Sequence, residues 1–244
     1  MEKDIIFGIW PVLEALREGK EFNSILIQAG FEATQLAEIR TLCKQHEVPL
    51  KHVPIQKLDR VTRKNHQGII GMACPVEYQS LEQLVPTWFE EGLNPLVVVL
   101  DRITDVRNFG AIARSCECMG VDAIVIPKAD GVSVTADAIR TSSGSLHRIP
   151  VCRESNLKLS IELLKGSGFQ VVGCTEKGRD LVHEADFKVP TAIIMGNEEK
   201  GIQPDLQKRC SSLVKIPMSG ETQSLNVSVA TGMVLYEINR QRLI

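Results

Sequence analysis

The sequence has no C-x-x-C pair, no G-x-G-x-x-G, no G-x-x-x-x-G-K-[ST], no long apolar run and no strong excess of charge of either sign. Each absence removes a class. Without paired cysteines at metal or redox spacing, a zinc module or a thioredoxin-like protein has no basis. Without the glycine fingerprint after a first strand, a dinucleotide-dependent dehydrogenase is disfavoured. The longest apolar runs, at 95–100 and 192–196, are too short to cross a bilayer. The N-terminal MEKDIIFGIW has no apolar h-region or small-residue cleavage site, so no signal peptide is expected. Seven cysteines stand at 43, 74, 116, 118, 152, 174 and 210. They are expected to be reduced packing residues of a cytoplasmic protein. With 28 basic and 30 acidic side chains the net charge is −2. Nucleic acid is therefore not announced by composition, and any RNA-binding groups must be concentrated on one surface.

What is present is ordinary for a folded α/β chain. The 244 residues are 43% hydrophobic, enough for one or two domains with their own cores. Residues 1–73 alternate helix and strand signals: a helix from Pro11 to Arg17 stopped by Gly19, strands at 24–28, 49–53 and 68–73, and a helix with Leu36, Ile39 and Leu42 at helical spacing. They read as a small α/β domain. Residues 74–94, punctuated by Pro75, Pro86 and Gly92, read as a linker with room for a short helix at 81–84. From Pro95 onward, LVVVLD and later apolar strands alternate with helices at 108–119, 134–140 and 227–240. That pattern predicts a doubly wound parallel sheet over 95–244. In such sheets ligands bind where strands end, so the loops after 101, 196 and 216 carry the functional question.

Each of those loops has a plain structural reading. In NFGAIAR, Asn108 can cap a helix, Gly110 permits close approach, and Arg114 alone is a solvated arginine. In MGNEEKGI, Gly196, Glu198 and Gly201 fit a polar turn. In IPMSGETQSLNVSVA, Ser224 or Asn226 can cap the final helix. Capping leaves unexplained the small polar groups beside apolar Ile216, Pro217 and Met218, a combination suited to an adenine-bearing ligand. Lys57, Arg60, Arg63, Lys64 and His66 form a basic stretch late in the first domain. It reads equally as a solvated face or as phosphate contacts. His46, His52, His147 and His183 show no ligand spacing, so no metal site is expected.

In this order and spacing the three loops resemble the motifs of the SpoU/TrmH family of RNA 2′-O-ribose methyltransferases: N-x-G-x-x-x-R at 108–114, G-x-E-x-x-G at 196–201, and I-P-M with S-L-N-V-S-x-A at 216–230. RTSSGSLHRIP at 140–150 resembles the family's linking loop, while IIFGIWPVLEAL and HQGI resemble the auxiliary domain of its 23S rRNA guanosine methyltransferase branch. The resemblance implies a C-terminal α/β domain tied in a deep trefoil knot, preceded by a small α/β RNA-binding domain. It implies S-adenosylmethionine as cofactor, held at Gly196, Ile216, Met218 and Leu225. It implies a homodimer, and RNA as partner, with rRNA ahead of tRNA. Arg114, Asn108, Glu198, Ser224 and Asn226 become the catalytic set.

The family proposal makes the arginine a base. A guanidinium has a reference pKa of at least ~12.5, so neutralising it at pH 7 costs on the order of 7 kcal/mol. Arg114 is therefore assigned to holding an RNA phosphate or the developing alkoxide. Glu198 and Asn108 would orient it, and Ser224 and Asn226 would position substrate or cofactor. The alternatives are the same chemistry on tRNA and a catalytically silent RNA-binding or assembly protein on the same fold.

Overall fold

The computed structural model describes residues 5–222 and 224–243. Two units are resolved: Met1–Glu77 with Val134–Ala136, and Tyr78–Ser133 with Asp137–Ile244. Each has its own core.

In the first unit β1 (Ile5–Phe7) leads into α1 (Ile9–Arg17), β2 (Phe22–Gln28), α2 (Leu36–Gln45), β3 (Leu50–Val53), α3 (Ile55–Val61) and β4 (Ile69–Ala73). The four strands lie in the order β1-β4-β2-β3. β2 and β3 are parallel, and β4 runs antiparallel to both β1 and β2. One face of the sheet is covered by Val12, Leu13 and Leu16 of α1 and by Ile39 and Cys43 of α2, packed on Phe22, Ile25, Ile27 and Ile69. The apolar stripes at helical spacing in α1 and at alternate positions in β2 produce this core directly. Helix α3 was not read from the sequence. Its seven residues bury only Leu58, and Lys57 and Arg60 stand on its exposed face.

The second unit opens with α4 (Leu81–Glu90). Residues 74–94 are therefore not a bare connector. Leu81, Val85 and Trp88 are buried in the main core, and the rings of Trp88 and Phe89 meet Phe169 edge-on at centroid distances of 6.4 and 5.7 Å. These aromatic contacts integrate the segment despite its prolines. Then follow β5 (Leu96–Asp101), α5 (Val106–Cys118), β6 (Ala123–Pro127), α6 (Ala136–Thr141), β7 (Val151–Glu154), α7 (Leu157–Gly166), β8 (Gln170–Cys174), β9 (Asp180–Leu181), β10 (Thr191–Gly196), α8 (Pro204–Gln207), β11 (Ser212–Lys215) and α9 (Val227–Arg242). Seven strands form one sheet in the order β7-β6-β5-β10-β8-β11-β9, every pair parallel. All six residues of β5 are buried, as expected of a strand covered on both faces. Strand order reverses beside β5, where β10 inserts between it and β8. The carboxyl ends of β5 and β10 are in register, Asp101 opposite Gly196. No described helix is long and apolar enough to cross a membrane.

The cysteines are free thiols in differing surroundings. Cys43, Cys116 and Cys152 are buried and Cys118 is exposed. Burial pushes the thiol of Cys43 up to about 11 and that of Cys152 up to about 12, and raises that of Cys116 further. Because the thiolate is the nucleophile, N-ethylmaleimide at pH 7.5 should label Cys118 first. Cys43, Cys116 and Cys152 should react only on unfolding. Peptide mass spectrometry checks the order, and early labelling of Cys116 or Cys152 would contradict this core.

Candidate active site

The loop after β10 is built around two backbone requirements. A side chain on Gly196 would run into the backbone of Gly201 and Ile202, and Gly201 has φ +62°. Only glycine meets both conditions without strain. Between them Asn197 folds the turn on itself: its Oδ1 accepts from Glu199 N (3.0 Å) and Lys200 N (3.1 Å), and its Nδ2 donates to the Arg102 carbonyl at 3.1 Å.

That carbonyl belongs to the loop after β5, which is held by a buried carboxylate. Asp101 has no exposed surface. It accepts from Arg102 Nε (3.0 Å) and NH2 (3.1 Å) and from the main chain (2.7 Å) and side chain (2.8 Å) of Gln203. Arg102 also donates to the Gly201 carbonyl at 3.0 Å. It does so from φ +55°, a left-handed conformation that costs a non-glycine residue roughly 1–2 kcal/mol. Neither Asp101, Arg102 nor Asn197 was singled out from the sequence.

Helix α5 begins at Val106, capped by Asp105, whose Oδ1 accepts from Arg107 N (2.6 Å) and Asn108 N (3.0 Å). This corrects the expectation that Asn108 is the cap. Asn108 lies one turn inside, and its amide is free for other partners. Its Nδ2 donates to Glu198 Oε1 at 2.6 Å, and its Oδ1 accepts from Asn226 Nδ2 at 3.0 Å. Asn226 is the N-cap of α9: its Oδ1 accepts from Ser228 N (2.9 Å), Ser228 Oγ (2.6 Å) and Val229 N (3.4 Å). One hydrogen-bonded chain thus joins all three loops, from the α9 terminus through Asn226 and Asn108 to Glu198. Capping by Asn226 decides between the two candidate caps. Ser224 sits in the wall of the adjoining pocket instead.

Gly110 acts within the protein rather than toward a ligand. An added side chain would strike the hydroxyl and backbone of Thr141 at the end of α6. Arg114 is exposed on α5 and makes no hydrogen bond or ion pair among the described residues.

The pocket is a half-open cavity of about 110 Å³ at the ends of β8, β10 and β11. Gly196, Glu198, Ile216, Met218, Ser224 and Leu225 line it together with apolar Met195, Val214 and Val234. Among the described residues, the backbone groups of 217–222, 224 and 225 make no hydrogen bond, so the third loop offers an unpaired peptide edge. An apolar slot with such an edge suits an aromatic heterocycle that needs both stacking space and hydrogen bonds. Thr175 and Glu176 complete the wall. They were missed because a Thr-Glu pair after a strand has no distinctive spacing. In the first unit, His66 is not presented to solvent, contrary to its candidacy for RNA contact. It is buried, with Nδ1 accepting from Gly68 N at 3.1 Å and Nε2 3.0 Å from Asp59 Oδ1. Lys57, Arg60, Arg63 and Lys64 are exposed.

Comparison with known proteins matches both units. The model of the SpoU rRNA Methylase family covers residues 95–236, and that described as RNA 2′-O ribose methyltransferase substrate binding covers residues 5–79. A Bacillus subtilis (strain 168) protein, whose name places it among TrmH family tRNA/rRNA methyltransferases, is 32% identical over 99% of this chain and 97% of its own. An AdoMet-bound rRNA methyltransferase from Sinorhizobium meliloti superposes with TM-score 0.63 at 25% identity, covering 98% of this chain and 88% of that one. A TrmH/SpoU tRNA modifying enzyme of A. aeolicus gives TM-score 0.58 at 32% identity, covering 67% of this chain and 84% of its own.

Replacing Asp101 tests the geometry of the site without reference to any ligand. Asp101→Ala leaves the Arg102 guanidinium without its counter-ion, holding only the Gly201 carbonyl, and the Gln203 amides without their acceptor. Breaking a buried pair costs about 3–5 kcal/mol. A fall in Tm of many degrees is expected by calorimetry, against little change for Asp137→Ala, whose partner Arg140 is exposed with it. Equal Tm values for the two variants would remove Asp101 from this role.

Proposed function

Because the chain belongs to the SpoU rRNA methylase family, we propose that it transfers a methyl group from S-adenosylmethionine to a ribose 2′-hydroxyl of RNA. The observation that carries the reading is the hydrogen-bonded chain Asn226–Asn108–Glu198 at the rim of the pocket. It brings the polar residues of all three motifs to one place. The silent alternative is disfavoured because Asn108, Arg114, Glu198, Ser224 and Asn226 are all present.

The residues present fit the cofactor. The apolar walls Met195, Val214 and Val234 suit an adenosine face, the unpaired backbone of the third loop suits its edge, and Gly196 lets the turn close on Gly201 and Ile202 at the pocket wall. Met218 and Leu225 are partly exposed beside it, available to close over an apolar ligand. When bound, the cofactor supplies an electrophilic methyl group on a sulfonium. The protein's contribution is to hold the hydroxyl in line with it, since proximity and orientation supply roughly 7–11 kcal/mol of such barriers. Arg114, cationic and without a partner among the described residues, is assigned to the RNA phosphate or the developing 2′-alkoxide. Glu198, its Oε1 fixed by Asn108, makes no hydrogen bond or ion pair with Arg114 among the described residues, so its assignment to orienting an arginine requires a second copy of the chain. Ser224 positions substrate or cofactor from the pocket wall.

The RNA is inferred to be ribosomal, with a guanosine of 23S rRNA as the acceptor. Support comes from the first unit, which matches a substrate-binding family model. The Sinorhizobium rRNA enzyme spans nearly the whole chain, whereas the A. aeolicus tRNA enzyme covers two thirds of it. Lys57, Arg60, Arg63 and Lys64 are assigned to phosphate contacts, residues 1–73 to RNA binding, and the second unit to the cofactor. A cytoplasmic location and the trefoil knot belong to the same proposal; the knot rests on membership of the family.

A homodimer through α9 is also proposed. Val229, Met233 and Tyr236 leave 52%, 46% and 63% of their surfaces in water along one face of that helix. Together with Val182, Ile216 and Pro217 they line a groove. Ile216 lines the pocket as well, so a second copy seated there would border the site. Val229→Glu with Met233→Glu should halve the mass seen by sedimentation at micromolar concentration. A wild-type monomer would remove both the dimer and the shared site.

The activity is tested by transfer of labelled methyl groups to 23S rRNA and to bulk tRNA taken from a deletion strain. Transfer to a 2′-O position of 23S rRNA is expected. Arg114→Ala should lower it at least 100-fold while calorimetric affinity for S-adenosylmethionine changes less than about threefold, since the lost group acts on the RNA and not on the cofactor. Transfer to tRNA alone would move the substrate to the other branch. Binding of NADH without binding of S-adenosylmethionine would overturn the reading.

A further inference from the structure

Trp10 is the residue of the first unit that its core does not explain. It stands in the first turn of α1 with 54% of its surface exposed, while the same helix buries Val12, Leu13, Ala15 and Leu16. An indole is among the side chains with most to gain from burial. One held in the open on a rigid helix is placed for a flat partner.

The loop that precedes β4 is fastened beside it. Ile9 N donates to Gln67 Oε1 at 3.0 Å, so Gln67 is tied to the residue next to Trp10. Gln67 itself has φ +50°. The loop is held from within by His66, whose Nδ1 accepts from Gly68 N while Nε2 faces Asp59. With Nδ1 as acceptor, the ring proton lies on Nε2 and donates to the carboxylate. Thr62 Oγ1 accepts from Lys64 N at 3.2 Å, and Asn65 Oδ1 from Gln67 N at 3.3 Å. The Lys64 ammonium lies 5.8 Å from the ring centroid of Phe7, two residues before Ile9. Arg63, Lys64, Asn65 and Gln67 all reach solvent. The buried histidine thus sets a turn that offers two cations and two carboxamides next to the exposed indole. Glu14, one turn further along α1 and exposed, repels phosphate on that side and gives the surface a direction.

We propose that Trp10 is a stacking platform for an unpaired nucleobase of the RNA, with Arg63 and Lys64 taking the phosphates that flank it. The ligand is a single-stranded segment, because a duplex hides the faces of its bases and a loop displays them. Stacking on an aromatic is tolerant of base identity, so the platform adds affinity while the amide NH2 groups of Asn65 and Gln67, whose oxygens are engaged by the loop, are left to donate to base edges. His66 is a positioning residue, acting only through the loop it pins. The proposal rests on the reading of the first unit as RNA-binding.

The test uses the full chain and two probes of equal length: an RNA hairpin with a ten-nucleotide unpaired loop, and a perfect RNA duplex. The hairpin should quench tryptophan fluorescence and the duplex should not. Trp88, buried in the second unit, supplies a constant background, and the quenching should vanish in Trp10→Phe. Trp10→Ala should weaken hairpin binding about tenfold, within the range found for loss of one stacked base. Trp10→Phe should stay within about threefold of wild type. An unchanged circular dichroism spectrum and unchanged thermal transitions in both variants would show that the first unit is folded. Equal hairpin affinity in wild type and Trp10→Ala overturns the stacking. If neutralising Lys57, Arg60, Arg63 and Lys64 still weakens binding and flattens its salt dependence, the RNA-binding reading of this unit survives that failure. If it does not, both fall. Dissociation of Trp10→Ala to half the native mass would make this face an interface between copies, and the stacking role would be lost.

Discussion

A carboxylate with no exposed surface is tolerable only if it is paired, because taking an unpaired charge out of water costs several kcal/mol or more. Asp101, the last residue of β5, meets that requirement with Arg102 and Gln203. The partners are what give it reach. Gln203 follows the β10 loop, Arg102 touches the carbonyl of Gly201, and Asn197 returns a hydrogen bond to Arg102. Loops after two adjacent strands become one piece, and the strained φ of Arg102 is held by the ion pair that needs it. The start of α5 and the position of Glu198 are both set from this point, so the distance between Asn108 and Glu198 is fixed by a charge neither residue touches.

Asn226 then joins the third loop to the other two with a single amide. Its oxygen satisfies the N-terminus of α9 and its nitrogen satisfies Asn108. An aspartate could serve as the cap but has no hydrogen to give Asn108, and a serine could not span both directions. The residue type follows from the double duty, which explains why asparagine, rather than any good capping residue, occupies the junction.

Much of this was legible in the sequence, for identifiable reasons. The parallel sheet was, because strands covered on both faces must be apolar at nearly every position, as the five residues before Asp101 are. The pocket-lining residues of the second and third loops were, because their spacing resembles a family. What escaped depends on tertiary context. Asp105 and Asn108 are both good caps, and only the packed loop decides that the helix starts at Val106. Leu81, Val85 and Trp88 follow helical spacing, yet the surrounding prolines outweighed that signal, and α4 was read only as a short helix at 81–84 within a connector. His66 looked like a surface contact because nothing in HQG tells that Asp59 and Gly68 close around it. Asp101, Arg102 and Asn197 are single polar residues at strand ends and carry no periodicity at all.

The chain Asn226–Asn108–Glu198 links residues 118 and 90 positions apart, and α9 is made after every strand of the sheet. The sheet itself closes only through long crossovers, the kind of topology that folds slowly. During synthesis the β5 and β10 loops can settle while Asn108 still lacks one of its two partners. The competent site therefore comes into being in a single late event, the docking of α9. A chain deprived of α9 would keep every strand of the sheet, yet Asn108 would hold only one of its two side-chain partners and the three loops would not be joined.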